Sequence, residues 1–136
     1  LEEFLGFSRV DSAFLVGAGS LGSALLQDKG LTAFGLQIEA AFDIDKAKIG
    51  TKVNDIEIYH IDQFRAMAAE RNMLIGIITV PAENAQNVAD LMVAWGIKAI
   101  WNFTPARIKV PAHIVVQNTT IYMNLAILFN KLYNQE

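Results

Sequence analysis

Residues Phe14 to Val16 form an apolar run that passes straight into Gly17-Ala18-Gly19-Ser20-Leu21-Gly22, and few folds can use a strand that ends in glycines so spaced. Gly17 supplies a tight turn off the strand, Gly19 allows backbone to approach a pyrophosphate, and Gly22 lets the next helix pack closely on the sheet. A helix that begins near Ser20 then directs its unbonded N–H groups and positive dipole end at phosphate. A plain strand-to-helix turn could carry the same glycines, and context separates the two. The next apolar run, Leu36 to Phe42, ends in Asp43, roughly 20 residues beyond Gly22, where a dinucleotide-binding unit places an acid on the adenosine ribose. That acid would repel a 2′-phosphate, which favours NAD over NADP, although Lys46 and Lys48 lie close enough in sequence to attract one.

Runs of strand length occur at Ala13–Val16, Leu36–Phe42, Ile56–Tyr59, Leu74–Val80, Lys98–Asn102 and Ile114–Gln117, separated by segments of helical period. This alternation marks βαβ units on a parallel sheet. We therefore expect an α/β chain, a Rossmann-like doubly wound sheet in three layers with strand order 3-2-1-4-5-6. The first helix should run from Ser20 to about Asp28, with Gly30 available to end it. The second should begin at Asp62 as N-cap and present Phe64, Met67 and Ala68 on one face through Arg71. The third should start at Pro81, bury Ala85, Val88, Ala89, Met92 and Trp95, and end at Gly96. In that order the ligand crevice opens between strands one and four and gathers Gly17 to Ser20, Asp43, Thr79 to Pro81, and Asn102 to Pro105. Between Asn102 and Ile114, Pro105 and Pro111 predict an ordered irregular loop.

A chain of 136 residues is in the range of one domain. Its apolar share, 53%, is high, yet no run of about 18 apolar residues occurs, so no membrane span is expected. The surplus must be buried in a sheet covered on both faces or at a subunit interface. The absence of cysteine excludes a disulfide scaffold and a cysteine-rich metal site. A net charge of −3 with no basic face argues against direct contact with nucleic acid, and a nucleotide cofactor favours the cytoplasm. Leu1 is not an initiator residue, so a longer parent chain is expected. From Thr120 to Tyr133 the single charge is Lys131 and the segment is apolar nearly all round. Such a helix is either buried within its own subunit or inserted into a partner.

From Phe14 to about Leu128 the chain resembles the C-terminal domain of the Rex family, bacterial redox-sensing transcriptional repressors. The resemblance is carried by Val-Gly-Ala-Gly-Ser-Leu-Gly-Ser-Ala-Leu at 16–25, Ala-Ala-Phe-Asp-Ile-Asp at 40–45 with Lys48-Ile49-Gly50, Thr-Val-Pro-Ala-Glu at 79–83, Gly-Ile-Lys-Ala-Ile at 96–100, and Asn-Phe-Thr-Pro-Ala at 102–106. Asn-Phe-Thr-Pro is the most specific of these. The resemblance implies a homodimer that binds NADH or NAD⁺, joined through an exchanged C-terminal helix, with DNA contacted only by an upstream winged-helix domain. It implies that Gly17, Ala18, Gly19, Ser20, Leu21 and Gly22 form the pyrophosphate loop, Asp43 holds the adenosine ribose, and Ile44 covers the adenine. Thr79, Val80 and Pro81 would line the middle of the cleft, Asn102, Phe103, Thr104 and Pro105 the nicotinamide end, and Ile121 would reach it from the partner. The chain departs from the family at Asp28, where an aromatic is usual, and at Thr120 and Ile121, where an acid and Phe are usual. The expected organisation is a linker or helix of an upstream domain at 1–11, an NAD(H)-binding domain at 12–118, and a dimerisation helix at 119–136.

An enzyme that transfers hydride needs a proton donor beside the reacting ring, usually His, Lys or Tyr, and the cleft segments contain none. His60 and His113 are each isolated and read as ordinary, partly exposed histidines, and Trp95 and Trp101 read as packing residues. No catalytic residue and no metal site is assigned. The alternatives are a coenzyme A-binding domain, which would want basic partners for a 3′-phosphate, and a fragment of an NAD-dependent oxidoreductase.

Overall fold

The computed structural model describes residues 11–28, 35–119 and 132. The predicted features at Leu1–Val10, Gly30, and the helix Thr120–Tyr133 with Ile121 lie outside these residues. Within them the order is β1 (Asp11–Val16), α1 (Ser20–Gln27), β2 (Leu36–Asp43), β3 (Lys52–Val53), β4 (Ile56–His60), a 3₁₀ turn (Ile61–Gln63), α2 (Phe64–Arg71), β5 (Ile75–Ile78), α3 (Ala82–Ala94), β6 (Ala99–Asn102) and β7 (Val115–Asn118). The sheet runs β3-β4-β2-β1-β5-β6-β7, and every pairing is parallel except β3 with β4. Leaving out the two-residue β3, this is the expected doubly wound order.

Strand β1 explains the layering. Phe14 and Val16 face one core with Ala40, Phe42, Phe64, Ala89 and Met92, whereas Ala13 and Leu15 face a second with Ile38, Ala41, Leu26 and Ile77. Alternating side chains of a fully buried strand thus serve both faces, with α2 and α3 covering one and α1 the other. Phe14, Phe42 and Phe64 meet with ring centroids 4.9–5.3 Å apart, and Trp95 stacks on Phe64 at 5.4 Å. Trp95 is a packing residue here. Gly76 brings α3 close: a Cβ there would lie 2.5 Å from Met92 Sδ.

Strand β2 does not alternate cleanly. Ile38 and Ala40 are two apart yet face opposite cores, because the register with β1 shifts between Ala13 and Phe14. Glu39 occupies the irregularity and pairs with Arg71 of α2 at 3.1 Å. Such a bulge reverses side-chain parity downstream.

Three expectations need correction. The strand predicted to reach Val80 ends at Ile78, because Thr79 turns to bond the glycine loop. Asp62 is not the N-cap of a helix; it lies inside the 3₁₀ turn, and its N–H donates to His60 Nδ1 at 3.0 Å, so His60 is the cap. The hairpin β3–β4 was not expected: Asn54 and Asp55 take φ of 52° and 65° between Val53 and Ile56, the geometry of a tight two-residue turn. Asn54 Nδ2 also donates to Leu26 C=O at 3.2 Å, which ties the hairpin to the end of α1.

Candidate functional site

The glycine loop is held by its neighbours on three sides. Gly17 adopts φ +107°, and a Cβ there would come within 2.7 Å of the Thr79 carbonyl carbon. A Cβ on Gly22 would be 1.8 Å from Gly17 O. Both glycines are therefore demanded by the fold itself. Gly19 differs: it has φ −76°, and a Cβ built on it meets nothing within 4 Å. Among the described residues no contact requires glycine there, and the space in front of it lies at the mouth of α1. The first bond leading into that helix is Ser23 N–H to Gly19 C=O at 2.8 Å, and Gly19 caps it with no side-chain bond. The earlier N–H groups of the turn have no intrahelical acceptor and form an anion-seeking end.

The peptide of Ala18 is clamped. Its N–H donates to Asp43 Oδ2 at 2.8 Å, and its C=O accepts from Lys48 Nζ at 2.7 Å and from Ser23 Oγ at 3.1 Å. Asp43 Oδ1 accepts the N–H groups of Ile44 at 2.7 Å and Asp45 at 3.0 Å. Three of the roughly four acceptor positions of this carboxylate are thus occupied, leaving room on Oδ2 for about one further donor. Asp43 can therefore take one ribose hydroxyl rather than two. Lys48, which sequence offered as a phosphate-seeking cation, is committed in part to the loop. Beside Asp43, Ile44 is 70% exposed, an apolar surface free to cover a flat ring.

Thr79 ties the loop to β5. Its N–H donates to Val16 C=O at 2.9 Å, and its buried hydroxyl lies 3.0 Å from Val16 O and 2.7 Å from Gly17 O. Beyond it opens a cleft of about 780 Å³, within the range of small-molecule sites. Gly19, Ser20 and Leu21 form one wall, Thr79, Val80 and Pro81 the floor, and Phe103, Thr104 and Pro105 the far wall. Nine of the residues singled out from sequence thus line one cavity, with Asp43 and Ile44 at the outer edge of the glycine loop. Ala24, Ala82 and Glu83 also line the cleft and were not singled out. Glu83 stands in the first turn of α3, inside a motif whose first three residues were assigned.

Asn102 does not reach the cleft. It is fully buried, Oδ1 accepts the N–H and hydroxyl of Thr104, and Nδ2 donates to Ala106 C=O and Asn118 Oδ1. Its side chain is saturated within the loop, so its part is to shape the wall that Phe103 to Pro105 present. Gln86 of α3 pins the later loop by two hydrogen bonds to the Lys109 backbone, donating to its C=O at 2.9 Å and accepting its N–H at 2.7 Å. Among the described residues there is no cluster of His, Cys, Asp and Glu suited to a metal, and no helix long and apolar enough to cross a membrane.

The site fits a dinucleotide. An open cradle at Gly19 faces a helix mouth, the Asp43 carboxylate beside the loop keeps an acceptor position, and the exposed Ile44 stands next to it. Among the described residues that line the cleft there is no Lys or Arg. Comparison with known proteins agrees with this geometry. Residues 9–106 match the family described as CoA binding domain. The redox-sensing transcriptional repressor Rex of Bacteroides thetaiotaomicron is 58% identical over 132 residues, which cover 97% of this chain and 60% of that protein. Among solved structures, the Rex-family repressor RSP in complex with β-NADH is similar with a TM-score of 0.88 at 32% identity, over 98% of this chain and 64% of RSP. RSP in complex with β-NAD⁺ and operator DNA gives a TM-score of 0.86 at 32% identity over 98% of this chain and 61% of that one. The chain thus spans about three fifths of the length of the relatives it matches. It belongs to the CoA binding domain family and is similar over nearly its whole length to part of the Rex repressors.

Proposed function

We propose that this chain is the NADH- and NAD⁺-binding, redox-sensing and dimerisation domain of a Rex-like transcriptional repressor. The observation that carries the reading is Gly19, a glycine that no contact among the described residues requires, open at the mouth of α1 where a pyrophosphate would sit. The N–H groups of that turn would hold the phosphates, the free acceptor position of Asp43 one ribose hydroxyl, and Ile44 a face of the adenine. Phe103, Thr104 and Pro105 would bound the nicotinamide. When bound, the cofactor reports the redox state through its nicotinamide ring. The chain's own residues bind and orient it.

Catalysis is not part of the reading. A shift between two binding states needs only differential affinity, and the acid that lines the cleft, Glu83, is an exposed first-turn residue rather than a buried proton donor. Operator DNA would be contacted outside these 136 residues, in keeping with their net charge of −3. Homodimerisation through the apolar segment at 119–136, in a cytoplasmic protein, completes the assignment. Coenzyme A suits the site less well, since its 3′-phosphate would face the Asp43 carboxylate, and the nearby Lys48 ammonium already donates to the Ala18 carbonyl. The test is NADH fluorescence titration of the purified chain together with sedimentation. Saturable binding to a dimer, with no turnover of small alcohols or hydroxy acids, is the expected result; a soluble monomer that binds no NADH would refute the assignment.

A further inference from the structure

Two bonded paths leave the cleft wall and meet at the end of β7. In the first, the Thr104 N–H and hydroxyl donate to Asn102 Oδ1 at 3.0 and 2.8 Å, and Asn102 Nδ2 donates to Asn118 Oδ1 at 3.0 Å. The backbone carbonyl of Asn102 accepts Thr119 N–H at 2.9 Å. In the second, Phe103 stacks on Trp101 with centroids 4.6 Å apart, and Trp101 Nε1–H donates to Thr119 Oγ1 at 3.0 Å. Asn118 and Thr119 are not in the lining of the cleft, yet these bonds end on residues that shape it. The Asn102 amide is held in one orientation by backbone partners on both sides, the Thr104 N–H and the Ala106 C=O. With every position of a buried amide filled, the wall cannot shift without breaking a bond or moving β7.

We propose that Asn118 and Trp101 are positioning residues for the nicotinamide end of the cleft, and that through them the end of β7 sets the wall Phe103–Pro105. This rests on the NAD(H) assignment made above. Oxidised nicotinamide carries a positive charge and the reduced ring is neutral. A close wall built from Leu21, Val80, Phe103 and Pro105 disfavours the charged ring, because burial against apolar surface costs a charge more than a neutral group. How tightly that wall is held therefore sets the preference between the two forms.

The experiment titrates NADH, NAD⁺ and ADP-ribose, which lacks the nicotinamide, against the full chain and its Asn118→Ala, Asn118→Asp and Trp101→Phe variants. Asn118 is exposed and Trp101→Phe keeps an aromatic ring on Phe103, so both changes leave the core in place. Asn118→Ala and Trp101→Phe should leave ADP-ribose affinity within about twofold and lower the NADH to NAD⁺ affinity ratio about five- to tenfold, the worth of one hydrogen bond. Asn118→Asp keeps the acceptor oxygen and, at a salt concentration high enough to screen its added charge, should keep the ratio. Hydrogen exchange in peptides spanning 99–119 should slow with NADH in the wild type and respond less in Asn118→Ala. An unchanged ratio, or equal loss of all three ligands, would overturn the proposal. A wild type that binds ADP-ribose but neither dinucleotide form better would remove the cofactor assignment itself.

Discussion

Replacing the loop glycines one at a time should separate folding from binding, because the structure gives each a different reason to be glycine. In Gly22→Ala the new methyl would fall 1.8 Å from Gly17 O, 2.9 Å from Gly17 C and 3.0 Å from Thr79 Oγ1. Two of those contacts are with backbone that cannot swing away, so relief requires α1 to move off the sheet. Overpacking of this kind costs about 3 kcal/mol or more. In Gly19→Ala the methyl meets nothing within 4 Å, and φ of −76° suits any residue. A more restricted unfolded state would stabilise by about 0.4–1 kcal/mol, and a poorer N-cap would offset a few tenths. Stability should hold to within about 1 kcal/mol. Binding should not, since the methyl fills the space in which phosphate would approach the helix mouth. Two charge-assisted bonds at about 1.5 kcal/mol each amount to about 100-fold in affinity. Urea denaturation with NADH fluorescence titration reads both quantities on the same samples. A Gly19→Ala protein that is folded and binds NADH as tightly as the wild type would refute the placement of the pyrophosphate.

Asp43→Asn should affect both loop and ligand. One amide oxygen cannot accept from Ala18 on one side and from Ile44 and Asp45 on the other. A loss of about 1–2 kcal/mol in stability and a narrowed gap between NADH and NADPH are expected, by denaturation and titration respectively. Lys48→Met removes the bond to Ala18 C=O and should weaken NADH and ADP-ribose by the same factor, about three- to tenfold; a change in only one of them would place Lys48 at the nicotinamide instead. Asn102→Ala leaves the Thr104 N–H and the Ala106 C=O without their partner in a buried loop, and thermal unfolding should show a loss of about 2–4 kcal/mol. Charged residues in place of Leu125 and Leu128 should give monomers or insoluble protein by sedimentation, whereas a soluble dimer would remove that segment from the interface.

Hydrophobic runs and the glycine spacing made the strand order, the three helices and the cleft at the β1 and β5 ends readable in advance, since buried parallel strands must be continuously apolar. The features that escaped depend on hydrogen-bond partners and strand register that residue type and periodicity do not specify. The register shift at Glu39 leaves no mark in the pattern Leu-Gln-Ile-Glu-Ala-Ala-Phe. Asn102 looked like a ligand because it is polar at a strand end, and only Thr104, Ala106 and Asn118 folded around it reveal that its side chain is fully engaged. Gln86 gave no hint that it would hold Lys109. The β3–β4 hairpin did carry a signal, since Asn54-Asp55 is a turn pair that accepts positive φ. Glu83 could have been found by extending the assigned Thr79-Val80-Pro81 one helical turn.

The most direct test is a calorimetric titration of the wild-type chain with NADH, NADPH and coenzyme A under one set of conditions. One NADH per chain is expected, with both phosphate-bearing ligands at least about tenfold weaker, because in the proposed binding mode the Asp43 carboxylate would face the third phosphate. NADPH affinity equal to that of NADH, or coenzyme A binding the tighter of the two, would contradict the account.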